Sequence, residues 1–202
     1  MSSAKLDEVE AALAAGEVVG VPTDTVYGLA VDPRLPGAVD RVFALKKRPE
    51  SFQLPVLIAD PTGFMDLAEA TPPALRLISR YWPGPLTVVL PRRADVTFDL
   101  GGDPATIGLR CPASSLLREL LRRTGPLAVT SANRHGEAPR HSAGEVREHF
   151  GAGVRVVLDG GRCDGSPSTV ISLADAGLKC LREGALAFAD IATVAAGSAA
   201  SG

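Results

Sequence analysis

Apolar side chains recur along this chain at two spacings, and the switch between them predicts the elements. Leu6, Val9, Ala12 and Leu13 stand three and four apart with Gly16 behind them, so residues 5–15 read as a helix closed by a glycine. Val39, Val42 and Phe43 repeat that spacing over 36–47, and the helix must stop near Arg48, because the residue before Pro49 disfavours helical backbone. Short apolar runs at 17–21, 54–59, 86–90, 106–110, 127–130, 154–158, 169–173 and 178–182 read as strands. Helical turns over 61–81 and helices at 113–123 and 142–150 interleave with them. This alternation predicts an α/β architecture with one large sheet, and the closely spaced last strands predict that part of it is antiparallel. The stretch from residue 189, rich in Ala, Ser and Gly, reads as a fraying end, so the expected organisation is one domain over 1–188 and a flexible tail over 189–202.

Composition narrows the class. The 202 residues carry 21 basic and 23 acidic side chains, a net charge of −2, and 46% are hydrophobic, which excludes a collagen, a disordered acidic chain and a purely electrostatic tail. No run of about 18 apolar residues occurs and the N-terminus lacks a basic segment followed by an apolar one, so the expected place is the cytoplasm, with no membrane partner. Cys111, Cys163 and Cys180 form no C-x-x-C pair and read as buried or bystander thiols. The charge is uneven. Lys5 faces Asp7, Glu8, Glu10 and Glu17 near the N-terminus, whereas Arg110, Arg118, Arg122, Arg123, Arg134 and Arg140 outnumber Glu119 and Glu137 in the middle. Arg118, Arg122 and Arg123 read as a solvated helix face.

The phosphate-loop, dinucleotide, zinc-protease and serine-hydrolase motifs are all missing. His135, His141 and His149 lack the spacing of a structural zinc site and read as solvated, so no protein-held metal is expected. No side chain stands out as a covalent nucleophile.

Five polar segments remain. In residues 22–29, PTDTVYGL, extended backbone puts Thr23 and Thr25 on one side and Asp24 on the other, although a capped turn also accounts for them. Lys46 and Arg48 can converge on one anion where the chain leaves its helix, or simply complement the helix C-terminus. In the strand over 106–110, period 2 places Thr106, Gly108 and Arg110 on one face; Arg110 then requires a carboxylate, phosphate or carbonyl partner, a structural salt bridge included. The same alternation aims Ser131 and Asn133 together, and Ser168 and Arg182 mark the start and end of the last strands.

Taken in order, these segments resemble the YrdC-like family of threonylcarbamoyl-AMP synthases. The likeness runs over about 16–188 and includes PTDTVYGL (22–29), the K-x-R-P of Lys46 to Pro49, YWPGPLTVVLP (81–91), TIGLRCP (106–112), TSAN (130–133), LDGG (158–161), PSTVISL (167–173) and LREGA (181–185). The resemblance implies an open, twisted mixed sheet flanked by helices with a concave ligand-binding face. It implies that L-threonine, bicarbonate and ATP give threonylcarbamoyl-AMP and pyrophosphate, with Mg²⁺ accompanying ATP, for a tRNA modification completed by separate transferase proteins. The nucleophile then comes from the substrate, which agrees with the missing triad.

The resemblance also implies roles. Lys46, Arg48, Ser131 and Asn133 would be catalytic; Lys46, Arg48, Thr106, Asn133 and Arg182 would hold ATP; Thr25, Arg110, Ser131 and Ser168 would hold threonine. The chain departs from the family pattern in three places: Phe52-Gln53-Leu54 replace a basic residue and a proline, Pro139-Arg140-His141 replace a Ser-Pro-Thr stretch, and Leu57 replaces a polar residue. It ends without the additional C-terminal domain of longer relatives, so a short form is expected. An RNA-binding module, for tRNA or double-stranded RNA, would need a basic, aromatic surface that a net charge of −2 does not supply. A carbamoyl-transfer module would be larger and carry cysteine zinc motifs.

Overall fold

The structure, a computed structural model, describes residues 3–47, 49, 51–175 and 177–197. In chain order the elements are α1 (Ser3–Ala14), β1 (Val19–Val21), β2 (Gly28–Val31), α2 (Ala38–Lys46), β3 (Val56–Leu57), a 3₁₀ turn (Pro61–Asp66), α3 (Pro72–Tyr81), β4 (Leu86–Pro91), β5 (Thr106–Arg110), α4 (Ser115–Thr124), β6 (Leu127–Ser131), α5 (Ala143–Phe150), a second 3₁₀ turn (Gly151–Gly153), β7 (Val156–Val157), β8 (Thr169–Ser172), β9 (Lys179–Arg182) and α6 (Phe188–Ala195). Local chemistry sets the helix starts. Thr71, Ser114 and Ser142 accept backbone N–H bonds from Ala74, Leu117 and Glu145 at the first turns of α3, α4 and α5. Pro72 and Pro73 occupy positions in α3 where no N–H is needed. Helix α2 ends on Lys47 at φ 50°, one residue before Arg48, which lies outside the described residues.

Among the described residues nine strands form one sheet in the order β7-β1-β2-β6-β3-β5-β4-β8-β9. β1/β7, β3/β5 and β4/β8 run parallel and the other neighbours antiparallel, so the expected mixed, open α/β sheet is present. Strand β2 was not expected. Gly28–Val31 follows too soon after a polar turn to show alternation, yet it is fully buried between β1 and β6.

The fraying tail is also corrected: residues 188–195 form α6, with Ile191 fully buried. Ala favours helix, Gly197 at φ 80° follows the helix end, and the Arg76 guanidinium donates to the Ala195 carbonyl at 3.1 Å, satisfying a helix-end acceptor. Residues 198–202 of that expected tail lie outside the described residues.

Helices cover the two faces unequally. On one, α2, α3, α5 and α6 bury Val39, Phe43, Leu77, Val146 and Ile191 against Leu86, Val88, Leu90, Ile107 and Leu109. On the other, α1 and α4 bury Val9, Leu13, Leu117 and Leu120 over Val19, Val21, Leu127 and Val129. That second layer lies over β1, β6 and β7 and leaves the β4, β5 and β8 part of the face without a helix. The charges on α1 and α4 meet directly: Arg123 bridges Asp7 and Glu10 at 2.5 Å each, and Arg118 reaches Asp60 at 3.3 Å. The basic face expected to be only solvated is therefore largely paired.

Candidate functional site

The uncovered part of the face forms a cavity of about 550 Å³, within the size range of small-molecule sites. Strict alternation builds its floor. In β5 the side chains of Ile107 and Leu109 turn into the core while Thr106, Gly108 and Arg110 turn into the cavity; in β4, Leu86, Val88 and Leu90 turn in while Thr87 and Val89 turn out. Ser131 from β6, Ser168 just before β8 and Arg182 at the end of β9 add to the polar lining, as do Thr23, Thr25 and Gln53. Of the residues proposed from sequence, Thr25, Thr106, Arg110, Ser131, Ser168 and Arg182 thus share one cavity.

Arg110 is held at three points. Its Nε donates to the Gly84 carbonyl at 3.0 Å, one terminal nitrogen to Thr25 Oγ1 at 3.2 Å, and the other to Asp24 Oδ1 at 2.7 Å. The side chains of this ion pair are only 7% and 15% exposed. Burial pushes the guanidinium down from its ordinary pKa, and Asp24 works against that shift. A guanidinium has five N–H groups, so two remain for a ligand anion. The carboxylate and carbonyl partners required by a buried arginine are therefore both present, and the side chain still faces the cavity.

Extended alternation does not hold in residues 22–27. The chain bends there, because the Thr23 hydroxyl accepts from the backbone N–H groups of Thr25 and Val26 and donates to the Val26 carbonyl at 2.6 Å. Asp24 and Thr25 consequently reach the same arginine from one side, not from opposite sides. The Thr23 and Thr25 hydroxyls lie 2.8 Å apart, and Thr25 Oγ1 accepts from Arg110 while its side chain faces the cavity.

Opposite stands Arg182. It donates to the Ser168 carbonyl at 2.8 Å and to Ser168 Oγ at 3.2 Å, and Ser168 Oγ in turn lies 3.0 Å from Thr87 Oγ1. Its charge is disfavoured first by desolvation and then by Arg110. Among the described residues no carboxylate pairs with Arg182. Two guanidinium groups that repel each other, only one of them with a carboxylate partner among the described residues, give the cavity wall an excess of positive charge that suits an anion.

Lys46 and Asn133 sit beneath this lining and do not form part of it. Lys46 is 1% exposed, and its ammonium donates to the carbonyls of Ser131 and, at 2.6 Å, Asn133. The Asn133 amide accepts from Ser131 Oγ and donates to the Arg134 and Glu137 carbonyls at 2.8 and 2.9 Å, tying the turn after β6 to itself. The burial of Lys46 had a signal: positions 39, 42, 43 and 46 recur at helical spacing, so residue 46 shares the face of the buried Val39, Val42 and Phe43.

Four residues escaped the sequence reading as site residues. Asp24 was placed on the side of the segment opposite Thr23 and Thr25. Thr87 breaks the apolar run of β4 and could have been found by the alternation applied to β5. Gln53 donates to the Thr106 and Asp103 carbonyls at 2.9 Å each and holds the end of β5. Phe52 is 47% exposed and lines the cavity mouth, where its ring stands 5.5 Å from that of His135.

Among the described residues no group of three or more His, Cys, Asp or Glu side chains is placed to hold a metal. His135 is exposed as expected, whereas the other two histidines are partly buried: His141 Nδ1 lies 2.6 Å from the Cys163 carbonyl, and His149 lies 2.8 Å from Arg140 and 3.1 Å from Glu137. Cys111 and Cys163 are buried as expected, whereas Cys180 is exposed.

A family model described as Telomere recombination, which covers the Sua5, YciO and YrdC proteins, matches residues 11–184. A Mycobacterium tuberculosis protein provisionally named threonylcarbamoyl-AMP synthase is 36% identical over 192 residues, covering 94% of this chain and 88% of its own length. The threonylcarbamoyl-AMP synthase of Pyrococcus abyssi is 36% identical over 182 residues, covering 89% of this chain and 54% of its own. The crystal structure of P. abyssi Sua5 complexed with L-threonine superposes with a TM-score of 0.89 at 34% identity, over 96% of this chain and 58% of that one, so the present chain spans little more than half of that longer protein.

Proposed function

The chain belongs to the Sua5/YciO/YrdC family, and from that premise we propose that it joins L-threonine, bicarbonate and ATP into threonylcarbamoyl-AMP and pyrophosphate, as a nucleotidyltransferase. The observation that carries this reading is the cavity lined by two arginines, only one of which has a carboxylate partner among the described residues, since the reaction must hold an amino acid's carboxylate and a triphosphate side by side.

The chemistry needs no protein nucleophile. Threonine's amine adds to the carbon of bicarbonate with loss of water, giving a carbamate. A carbamate oxygen then bonds to the α-phosphorus while the bond from that phosphorus to the bridging oxygen breaks, and pyrophosphate leaves. What the protein supplies is orientation and fixed charge. Arg110 takes the threonine carboxylate on its two remaining N–H groups, and the Thr25 hydroxyl beside it hydrogen-bonds the amino acid. Ser131 and Ser168 line the same side, while Thr106 and Arg182 face the nucleotide. Lys46 and Asn133 serve by fixing the turn that carries Ser131. Arg48 belongs to the ATP set by the family motif.

The residues present do not fit a protein-held Mg²⁺. The Asp24 carboxylate behind the cavity wall is committed to Arg110, and Mg²⁺ sites ordinarily combine one or two protein carboxylates with substrate phosphates. The ion is read as travelling with ATP. The product passes to separate transferase proteins for tRNA modification in the cytoplasm; among the described residues no helix is long and apolar enough to cross a membrane.

The test is pyrophosphate release from ATP and bicarbonate with and without L-threonine. Threonine-dependent release is expected, and release at the same rate without threonine refutes the reading.

A further inference from the structure

We propose that Asp24 sorts the two anionic substrates, reserving Arg110 for a single carboxylate and leaving the triphosphate, and the pyrophosphate made from it, to Arg182. The inference rests on the reading of the cavity as a site for an amino acid and ATP.

The two arginines stand close enough for one to disfavour the charge on the other, and both lose hydration in the cavity wall. They differ in what compensates them. Arg110 is paired with Asp24 at 2.7 Å, nearly out of solvent, whereas Arg182 is held only by the uncharged carbonyl and hydroxyl of Ser168 among the described residues. To any anion the first is therefore a nearly neutral pair with two free donors, and the second a full positive charge. Attraction to Arg110 and repulsion from Asp24 grow together with a ligand's charge, so a phosphate chain gains little at this pair, whereas at Arg182 its two or three charges multiply the attraction roughly two- to threefold over that of a carboxylate. The amino group of the amino acid offsets the repulsion from Asp24, which no phosphate can do.

Asp24 is not itself among the residues that line the cavity, so it acts through Arg110 and not by touching substrate. The same bend that turns Asp24 onto Arg110 turns Thr25 beside it, so the hydroxyl for the amino acid and the carboxylate that repels phosphate arrive on one short segment.

Inorganic pyrophosphate is the probe. In wild-type protein it is expected to inhibit turnover competitively against ATP and not against threonine. In Asp24→Asn it becomes competitive against threonine as well, with an inhibition constant against threonine lower by about tenfold or more, and Asp24→Glu, which keeps the charge, restores the wild-type pattern. An unchanged pattern in Asp24→Asn overturns the proposal. Should that variant fail to fold, calorimetry on wild-type and Arg182→Gln protein decides: sorting requires pyrophosphate affinity to fall about tenfold or more in Arg182→Gln, with saturating threonine leaving pyrophosphate bound to wild-type protein. Displacement of pyrophosphate by threonine overturns it. Loss of threonine-dependent release in wild-type protein instead sinks the functional reading on which the proposal stands, so the two failures are told apart.

Discussion

Arg110→Gln removes the guanidinium and keeps a side chain of similar reach, and its consequences can be worked for stability and binding separately. For stability, Asp24, 15% exposed, loses its partner, and breaking a buried ion pair by removing one member costs about 3–5 kcal/mol. For a chain of this size that is about 2–4 °C per kcal/mol, so a fall of roughly 6–20 °C in melting temperature is expected. Adding Asp24→Asn removes the orphaned charge and should recover most of the loss, giving a double-mutant cycle with clear coupling. For binding, each charge-assisted hydrogen bond is worth about 1.5–3 kcal/mol, and allowing for incomplete loss of two of them gives about 2–4 kcal/mol. The threonine KM should then rise about 30- to 1000-fold, with the ATP KM changed less than about threefold. The assay is threonine-dependent pyrophosphate release for each substrate at saturation of the other, with calorimetry to read threonine affinity directly. Equal weakening for both substrates in the folded double variant refutes the placement of Arg110 in the amino-acid site.

Three other perturbations test other parts of the site. A Cβ at Gly108 would meet Pro55 and Val89 no closer than 3.6 Å, ordinary contact, so Gly108→Val should fold, with a melting temperature close to wild type, yet fill the floor between Thr106 and Arg110 and raise the threonine KM about tenfold or more; unchanged kinetics would move the substrate off β5. Lys46→Ala strips donors from the Ser131 and Asn133 carbonyls, so a loss of about 1–3 kcal/mol in denaturant unfolding is expected together with weaker binding of both substrates; a pure ATP defect at full stability would place the ammonium on phosphate instead. Burial raises the Cys111 thiol from 9.0 to about 11, so alkylation at pH 8 should modify exposed Cys180 first and Cys111 only on unfolding. The sign for stability follows: the folded state holds that proton longer than the unfolded one, so the contribution is complete below pH 9.0 and is lost as pH rises towards about 11.

The parts of the site legible in the sequence are those on regular backbone. β5 is long and straight enough for period 2 to place Thr106, Gly108 and Arg110 together, and β6 does the same for Ser131. The segment over 22–27 was read with the same rule and misread, because hydroxyl bonds from Thr23 bend it and tertiary pairing with Arg110 decides where Asp24 points. β2 was missed because four apolar residues after a turn carry no periodicity, and its identity as a strand comes from its neighbours β1 and β6. α6 was misread from composition alone, although the Ala run and the glycine behind it were a helix signal.

The net charge of −2 looks unpromising for a site that takes two anions, but the structure divides the basic residues into two populations. Those on α4 are spent on neighbours: Arg123 on Asp7 and Glu10, Arg118 on Asp60. Exposed pairs of this kind add about 0–1 kcal/mol each to stability and leave little field at a distance. Arg110 and Arg182 lie where the second helical layer stops, with low-dielectric walls around them, and Asp24 offsets the first alone. There the charge of Arg182, which no described carboxylate offsets, acts at full strength on whatever enters the cavity, and Arg110 adds its two remaining donors. Affinity for a triphosphate therefore needs only that the acidic residues be placed elsewhere. A nucleic acid, which must be met along a continuous basic surface, finds its would-be contacts on α4 already occupied by carboxylates.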